Sequence, residues 1–114
     1  MRLEILRGEF AIKKLEASAP IPVWATGEFV SITRTREELS IVCEAPGGEW
    51  RCLKVEGPLD FSLVGILASL AEPLAKAGIS IFAISTFNTD HILVNAANLD
   101  RAVEALRAAG HTIT

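Results

Sequence analysis

The sequence predicts an α+β fold, with one β-α-β-β-α-β unit preceded by a shorter all-β segment. Three observations carry this. Two stretches, Leu63–Ala77 and Leu99–Ala109, repeat their apolar residues at helical spacing. Short runs rich in Ile, Val and Phe flank them and read as strands. Pro46-Gly47-Gly48 is the strongest punctuation in the chain and divides it into unequal parts, residues 1–48 and 49–114.

In order, Leu3–Leu6 and Phe10–Leu15 read as short strands around Arg7-Gly8, paired as a hairpin. Pro20 and Pro22 disfavour helix and favour extended or single-turn structure through Trp24. Phe29–Thr33 and Leu39–Cys43 are strands joined by the polar turn Arg34–Glu38. Trp50–Val55 is the next strand, and Gly57-Pro58-Leu59-Asp60 turns from it into a helix with Asp60 or Ser62 as N-cap. Leu63, Ile66, Leu67, Leu70, Leu74 and Ala77 share one face of this helix. Pro73 lies inside it and removes the bond to the Ser69 carbonyl, which predicts a kink. Gly78 is placed to end the helix. Two β-favouring runs, Ile79–Ile84 and Ile92–Val94, then enclose a polar turn and predict a hairpin. Asn98 is placed to cap the second helix, with Leu99, Ala102, Val103 and Leu106 inward. Arg107 suits its C-terminal end by charge, and Gly110 stops it. His111–Ile113 completes the order as a last short strand. This order is the ferredoxin-like split unit, a four-stranded antiparallel sheet with two helices on one face.

Composition narrows the function classes. The chain has 114 residues, half of them hydrophobic and 22% charged, which fits one ordinary globular domain rather than a disordered chain. A formal net charge of −3, with Arg34, Arg36, Arg51 and Lys54 scattered among acids, argues against nucleic-acid binding. Cys43 and Cys52 are too few for a disulfide scaffold, and neither has a second ligand at zinc spacing, so no metal and no cofactor are expected. Both sit in apolar runs and read as small buried hydrophobes. The N-terminal stretch MRLEILRGEF lacks the apolar core of a secretory signal, and no apolar run approaches the ~18 residues of a membrane span. No membrane association and a cytoplasmic location are therefore expected.

The turn Ser85–Asp90 is richer in hydrogen-bonding groups than a plain connection needs. Hydroxyls, an amide and a carboxylate fall within six residues, a set that suits an ammonium or guanidinium group. An imperfect repeat accompanies it: SITRTREELSIV from Ser31 parallels ISTFNTDHILV from Ile84, with Thr33 answering Thr86, Glu38 answering Asp90 and Val42 answering Val94.

At Gly57-Pro58-Leu59-Asp60, at LAKAGIS (Leu74–Ser80) and at ISTFNTDHILV the sequence resembles the ACT domains, small β-α-β-β-α-β modules that bind amino acids and regulate enzymes. It is most similar to two-part ACT proteins related to aspartate kinase regulatory tails and to cytosolic arginine sensors. The resemblance makes residues 1–48 a degenerate N-terminal ACT-like β unit and residues 49–114 an ACT domain. It implies a small-molecule amino acid held at an interface between ACT units. One wall would be Gly57, Pro58, Leu59 and Asp60; another would be Ser85, Thr86, Phe87, Asn88, Thr89 and Asp90. A partner wall would come from Ser31, Ile32 and Thr33, of this chain or a neighbour. It also implies a homodimer or higher homo-oligomer and, beyond the chain, a regulated enzyme.

The chemistry of that proposed site is simple. Backbone N–H groups at a helix start suit an α-carboxylate. Asp60 and Asp90 suit an ammonium group or a basic side chain, and Thr86, Asn88 and Thr89 can orient it. Catalysis is not expected. Ser85, Asp90 and His91 hold triad residue types, but neighbours in a strand point to opposite faces. His111 shows no evident partner in sequence. The alternative reading is an oligomerisation module whose pocket is vestigial and empty.

Overall fold

A computed structural model describes residues 1–60 and 63–114. Its strands are β1 (Arg2–Ile5), β2 (Phe10–Leu15), β3 (Val30–Arg34), β4 (Leu39–Glu44), β5 (Trp50–Val55), β6 (Ile81–Ser85), β7 (Asp90–Asn95) and β8 (Thr112–Ile113). The helices are α1 (Ile66–Lys76) and α2 (Leu99–Ala108), with a 3-10 turn, Ala96–Asn98, leading into α2. The chain forms two compact units, Gly8–Trp50 and Met1–Arg7 with Arg51–Thr114.

In the N-terminal unit β4 lies between β2 and β3, antiparallel to both, with Leu15 opposite Leu39 and Val30 opposite Cys43. Leu39, Ile41 and Cys43 alternate onto one face and form its core with Leu15, Ala19, Ala25 and Val30. Phe10 and Phe29 meet edge to face, their ring centroids 6.1 Å apart. This unit contains no helix.

The C-terminal unit holds both helices. Its sheet runs β6-β7-β5-β1-β8, so the expected four strands are joined by a fifth. This corrects the expected hairpin of the first two strands. β1 pairs antiparallel with β5, Leu3 opposite Val55, and parallel with β8, Leu3 opposite Ile113. The physical reason is burial. Leu3 is fully buried in the helix-covered core with Leu53, Val55, Leu70, Leu74, Ile92, Val94, Ala102 and Leu106. β8 is only two residues long and cannot cover that face by itself.

The first helix begins later than the sequence suggests. Of the two predicted N-caps, Asp60 lies well ahead of α1, and Ser62 lies outside the described residues. Gly65 stands at the N-cap with φ 78°, the left-handed region that glycine enters without a Cβ penalty. A helix cannot propagate back through it, so Leu63 falls outside α1 and is 51% exposed. Ser69 N–H donates to Gly65 O at 2.9 Å, closing the first turn. At the other end, Gly78 N–H donates to Ala75 O and Ile79 N–H to Leu74 O, a Schellman pair. Gly110 and His111 end α2 in the same way, bonding Arg107 O and Leu106 O.

α1 runs through Pro73. The Ser69 carbonyl that Pro73 leaves without its helical donor accepts from His111 Nε2 at 2.9 Å. That bond places the proton on Nε2, so Nδ1 can accept from the N-terminal ammonium 3.1 Å away. His111 thus has the partners its sequence context did not reveal. The second helix also differs in its cap. Asn98 does not cap α2 with its side chain; its Oδ1 accepts from Arg101 at 3.2 Å. Asn95 Oδ1 instead accepts from Ala97 N–H at 3.0 Å and caps the 3-10 turn.

Candidate functional site

The hairpin of β6 and β7 closes around the polar turn. Ser85 pairs with Asp90 in register, and Thr86 N–H donates to Thr89 O at 2.8 Å. Within the turn, the Thr86 hydroxyl donates to Thr89 O at 3.0 Å and accepts a longer bond of 3.4 Å from Thr89 N–H. The Thr89 hydroxyl donates to Val55 O at 2.7 Å and is buried, tying the turn to β5. Both threonine hydroxyls therefore serve the framework. Ser85 Oγ donates to Asp90 Oδ1 at 2.6 Å, a charge-assisted bond across the hairpin mouth.

A second tie fixes the segment after β5. Leu59 N–H donates to Asn88 O at 2.7 Å. Gly57 makes this approach possible: a Cβ there would stand 3.0 Å from Asn88 O and 3.2 Å from Thr89 Cβ. Between this segment, the turn and the start of α1 lies a cleft of about 320 Å³. Asp60 and Asp90 both line it. Leu59, Leu63, Ile66 and Leu67 supply apolar wall, and Gly65 brings the start of α1 to its edge. Gly65 has no side chain with which to cap α1, and the first turn of the helix carries no acidic residue. The amides of that turn have no intrahelical acceptors, and the helix dipole makes this end favourable for an anion.

The predicted set is thus brought together in large part. Leu59, Asp60, Ser85, Thr86, Phe87, Asn88, Thr89 and Asp90 line the cleft, whereas Gly57 and Pro58, next to Leu59 in the chain, do not. Ser31, Ile32 and Thr33 lie on β3 of the N-terminal unit, opposite Val42, Ile41 and Ser40. Sequence reasoning missed Leu63, Gly65, Ile66 and Leu67 as lining residues. The signal was Gly65, a glycine in the middle of a helical pattern, which marks a break. Phe87, which lines the cleft, is 79% exposed, and Val64, between the lining residues Leu63 and Gly65, is 90% exposed.

His91 follows Asp90 but is buried, and it does not line the cleft. Burial, then the nearby Lys54, push its pKa down, while Asp90 pulls the other way. Ser85 and Asp90 therefore have no imidazole beside them in the cleft. Both cysteines are buried free thiols, and burial pushes Cys52 up to about 12. Among the described residues no cluster of three His, Cys, Asp or Glu side chains is placed to hold a metal, and no helix is long and apolar enough to cross a membrane.

The ACT domain family model matches residues 47–108, and a second model, described as an N-terminal domain, matches residues 8–46. The cytosolic arginine sensor for mTORC1 subunit 1 of Homo sapiens is 41% identical over 68 residues, 59% of this chain and 21% of that protein. Its Mus musculus counterpart is 46% identical over 55 residues, 47% of this chain and 17% of that protein. The chain spans about a fifth of the length of these curated relatives. A crystal structure of an Agobacterium tumefaciens protein superposes with a TM-score of 0.91 at 44% identity, covering 99% of this chain and 91% of that one. A Vibrio cholerae protein, described as of unknown function and a possible transport protein, superposes with a TM-score of 0.73 at 25% identity, covering 91% and 85%.

Proposed function

The chain belongs to the ACT domain family, and on that premise we propose that it is a non-catalytic, amino-acid-binding regulatory protein. The observation that carries the reading is the cleft that Asp60 and Asp90 share with the start of α1. A free amino acid presents an anion and a cation a few bonds apart. Its carboxylate suits the first-turn amides of α1, and its ammonium suits one of the two carboxylates. The stem of its side chain packs on Leu59, Ile66 and Leu67. The second carboxylate suits a second cation, which favours a basic amino acid. The relatives named as arginine sensors make arginine the first probe.

The exposed apolar residues Leu63, Val64 and Phe87, at and beside the cleft, support a homodimer or higher homo-oligomer that closes over the ligand. Ser31, Ile32 and Thr33, from this chain or a neighbour, supply the facing wall in this reading. Ligand then acts by population shift, favouring the arrangement that completes both walls and thereby a regulated enzyme partner. The relatives' printed name supports a cytoplasmic location.

The test is a thermal-shift screen of the intact chain over the twenty common amino acids. At about 100 times the dissociation constant the true ligand adds about 2.7 kcal/mol of stability. Asp90→Ala keeps the fold and removes the shift. Unchanged melting with every amino acid refutes ligand sensing. The same apolar residues favour one second reading, an oligomerisation module whose pocket stays empty. It predicts a stable oligomer by light scattering with no ligand response.

A further inference from the structure

We propose that Ser85 is a positioning residue of this site: its hydroxyl fixes the Asp90 carboxylate so that Oδ2 is presented to the ligand's cationic group. The inference rests on the amino-acid-binding reading and adds a residue role to it. Three observations support it. Ser85 and Asp90 are register partners at the last pair of the hairpin, so their side chains stand side by side on one face. Ser85 Oγ donates to Asp90 Oδ1 at 2.6 Å, the short distance of a hydroxyl on a carboxylate. Both residues line the cleft.

The effect is one of preorganisation. The terminal torsion of an aspartate is broad, so an unrestrained carboxylate samples many orientations and loses that freedom when a ligand binds. A bond to Oδ1 removes most of this cost before the ligand arrives. It also leaves Oδ2 with both of its lone pairs for the incoming cation. The hairpin itself does not depend on this bond. Its mouth is closed by Thr86 N–H and the Thr86 hydroxyl on Thr89 O, and its turn is tied to β5 through Thr89. Ser85 is exposed, so loss of its hydroxyl leaves no buried group unsatisfied.

The experiment uses the intact chain and the amino acid that gives the largest thermal shift, with affinity measured by titration calorimetry. Ser85→Ala weakens binding about tenfold while the melting temperature of the unliganded protein stays unchanged. Ser85→Thr keeps the hydroxyl and restores affinity to within about twofold of wild type. A merely structural role for Ser85 would lower the unliganded melting temperature, and that result overturns the proposal. Wild-type affinity in Ser85→Ala, or no recovery in Ser85→Thr, also overturns it, while the binding reading stands. If the wild-type chain responds to no amino acid, the binding reading fails, and this inference fails with it.

Discussion

The buried tie between the polar turn and β5 gives the sharpest stability test. Thr89 is 4% exposed and its hydroxyl donates to Val55 O at 2.7 Å. Thr89→Val keeps the shape of the side chain and replaces the hydroxyl by a methyl group. The Val55 carbonyl then loses this donor in apolar surroundings, at a cost of about 1–3 kcal/mol. The new methyl recovers less than about 1 kcal/mol by burial. The net loss is about 1–2 kcal/mol. Unfolding entropy scales as about 2.1 cal/mol/K per residue, so for this chain it is about 0.24 kcal/mol/K. The melting temperature should therefore fall by about 4–8 °C. Urea unfolding followed by far-ultraviolet circular dichroism checks the same loss as a lower midpoint at unchanged slope. Thr89→Ser, which keeps the donor and loses only the methyl, separates the two contributions. A valine variant that melts within about 1 °C of wild type would refute the claim that this hydroxyl anchors the turn.

Further outcomes follow from other contacts. Gly57→Ala places a Cβ 3.0 Å from Asn88 O and 3.2 Å from Leu59 N. It should disturb the Leu59–Asn88 bond and cost about 1–3 kcal/mol, read by calorimetric melting. His111→Ala removes the donor on Ser69 O and should cost about 1 kcal/mol. Pro73→Ala restores a backbone donor to that carbonyl, so its gain should be larger by roughly 0.5 kcal/mol or more in the His111→Ala background than in wild type, as a double-mutant cycle in urea would reveal. His91 has a pKa lowered from its ordinary 6.5, first by burial and then by Lys54. The unfolded chain then binds the proton more readily, so this contribution to stability is complete above pH 6.5 and is lost as pH falls through the lowered folded value. His91→Gln should flatten the decline of the urea midpoint with falling pH over that window.

Much of the fold was legible because its signals are local. β4, β5 and the β6–β7 hairpin follow apolar runs between turn residues, and Gly78 and Gly110 stand at the expected helix ends. What sequence could not supply was long-range choice. The Leu3–Leu6 run satisfies a local hairpin as well as it satisfies pairing with β5. Only the helix-covered core, which needs Leu3, decides between them. Asn95 and Asn98 both carry capping chemistry ahead of the same helix, and the backbone geometry of the 3-10 turn selects Asn95. His111 looked unpartnered because its acceptor is a carbonyl 42 residues away, exposed by a proline in another helix.

The candidate site shows the same division, with a functional consequence. Asp60 and Asp90 were legible as carboxylates near a helix start and a turn. Their meaning depends on where α1 begins. If Asp60 were the N-cap, its carboxylate would accept from the first-turn amides, and charge and donors would satisfy each other inside the protein. Gly65, in the left-handed region five residues later, moves the helix start away from Asp60. Asp60 and Gly65, at the start of α1, then line one cleft, with Asp90 on the same cleft. A positive helix end and two acidic residues lining the same cleft of about 320 Å³ suit a ligand that carries both signs of charge. One glycine in the middle of a helical pattern thus decides whether Asp60 stands at the N-cap of α1 or five residues ahead of it, on the cleft.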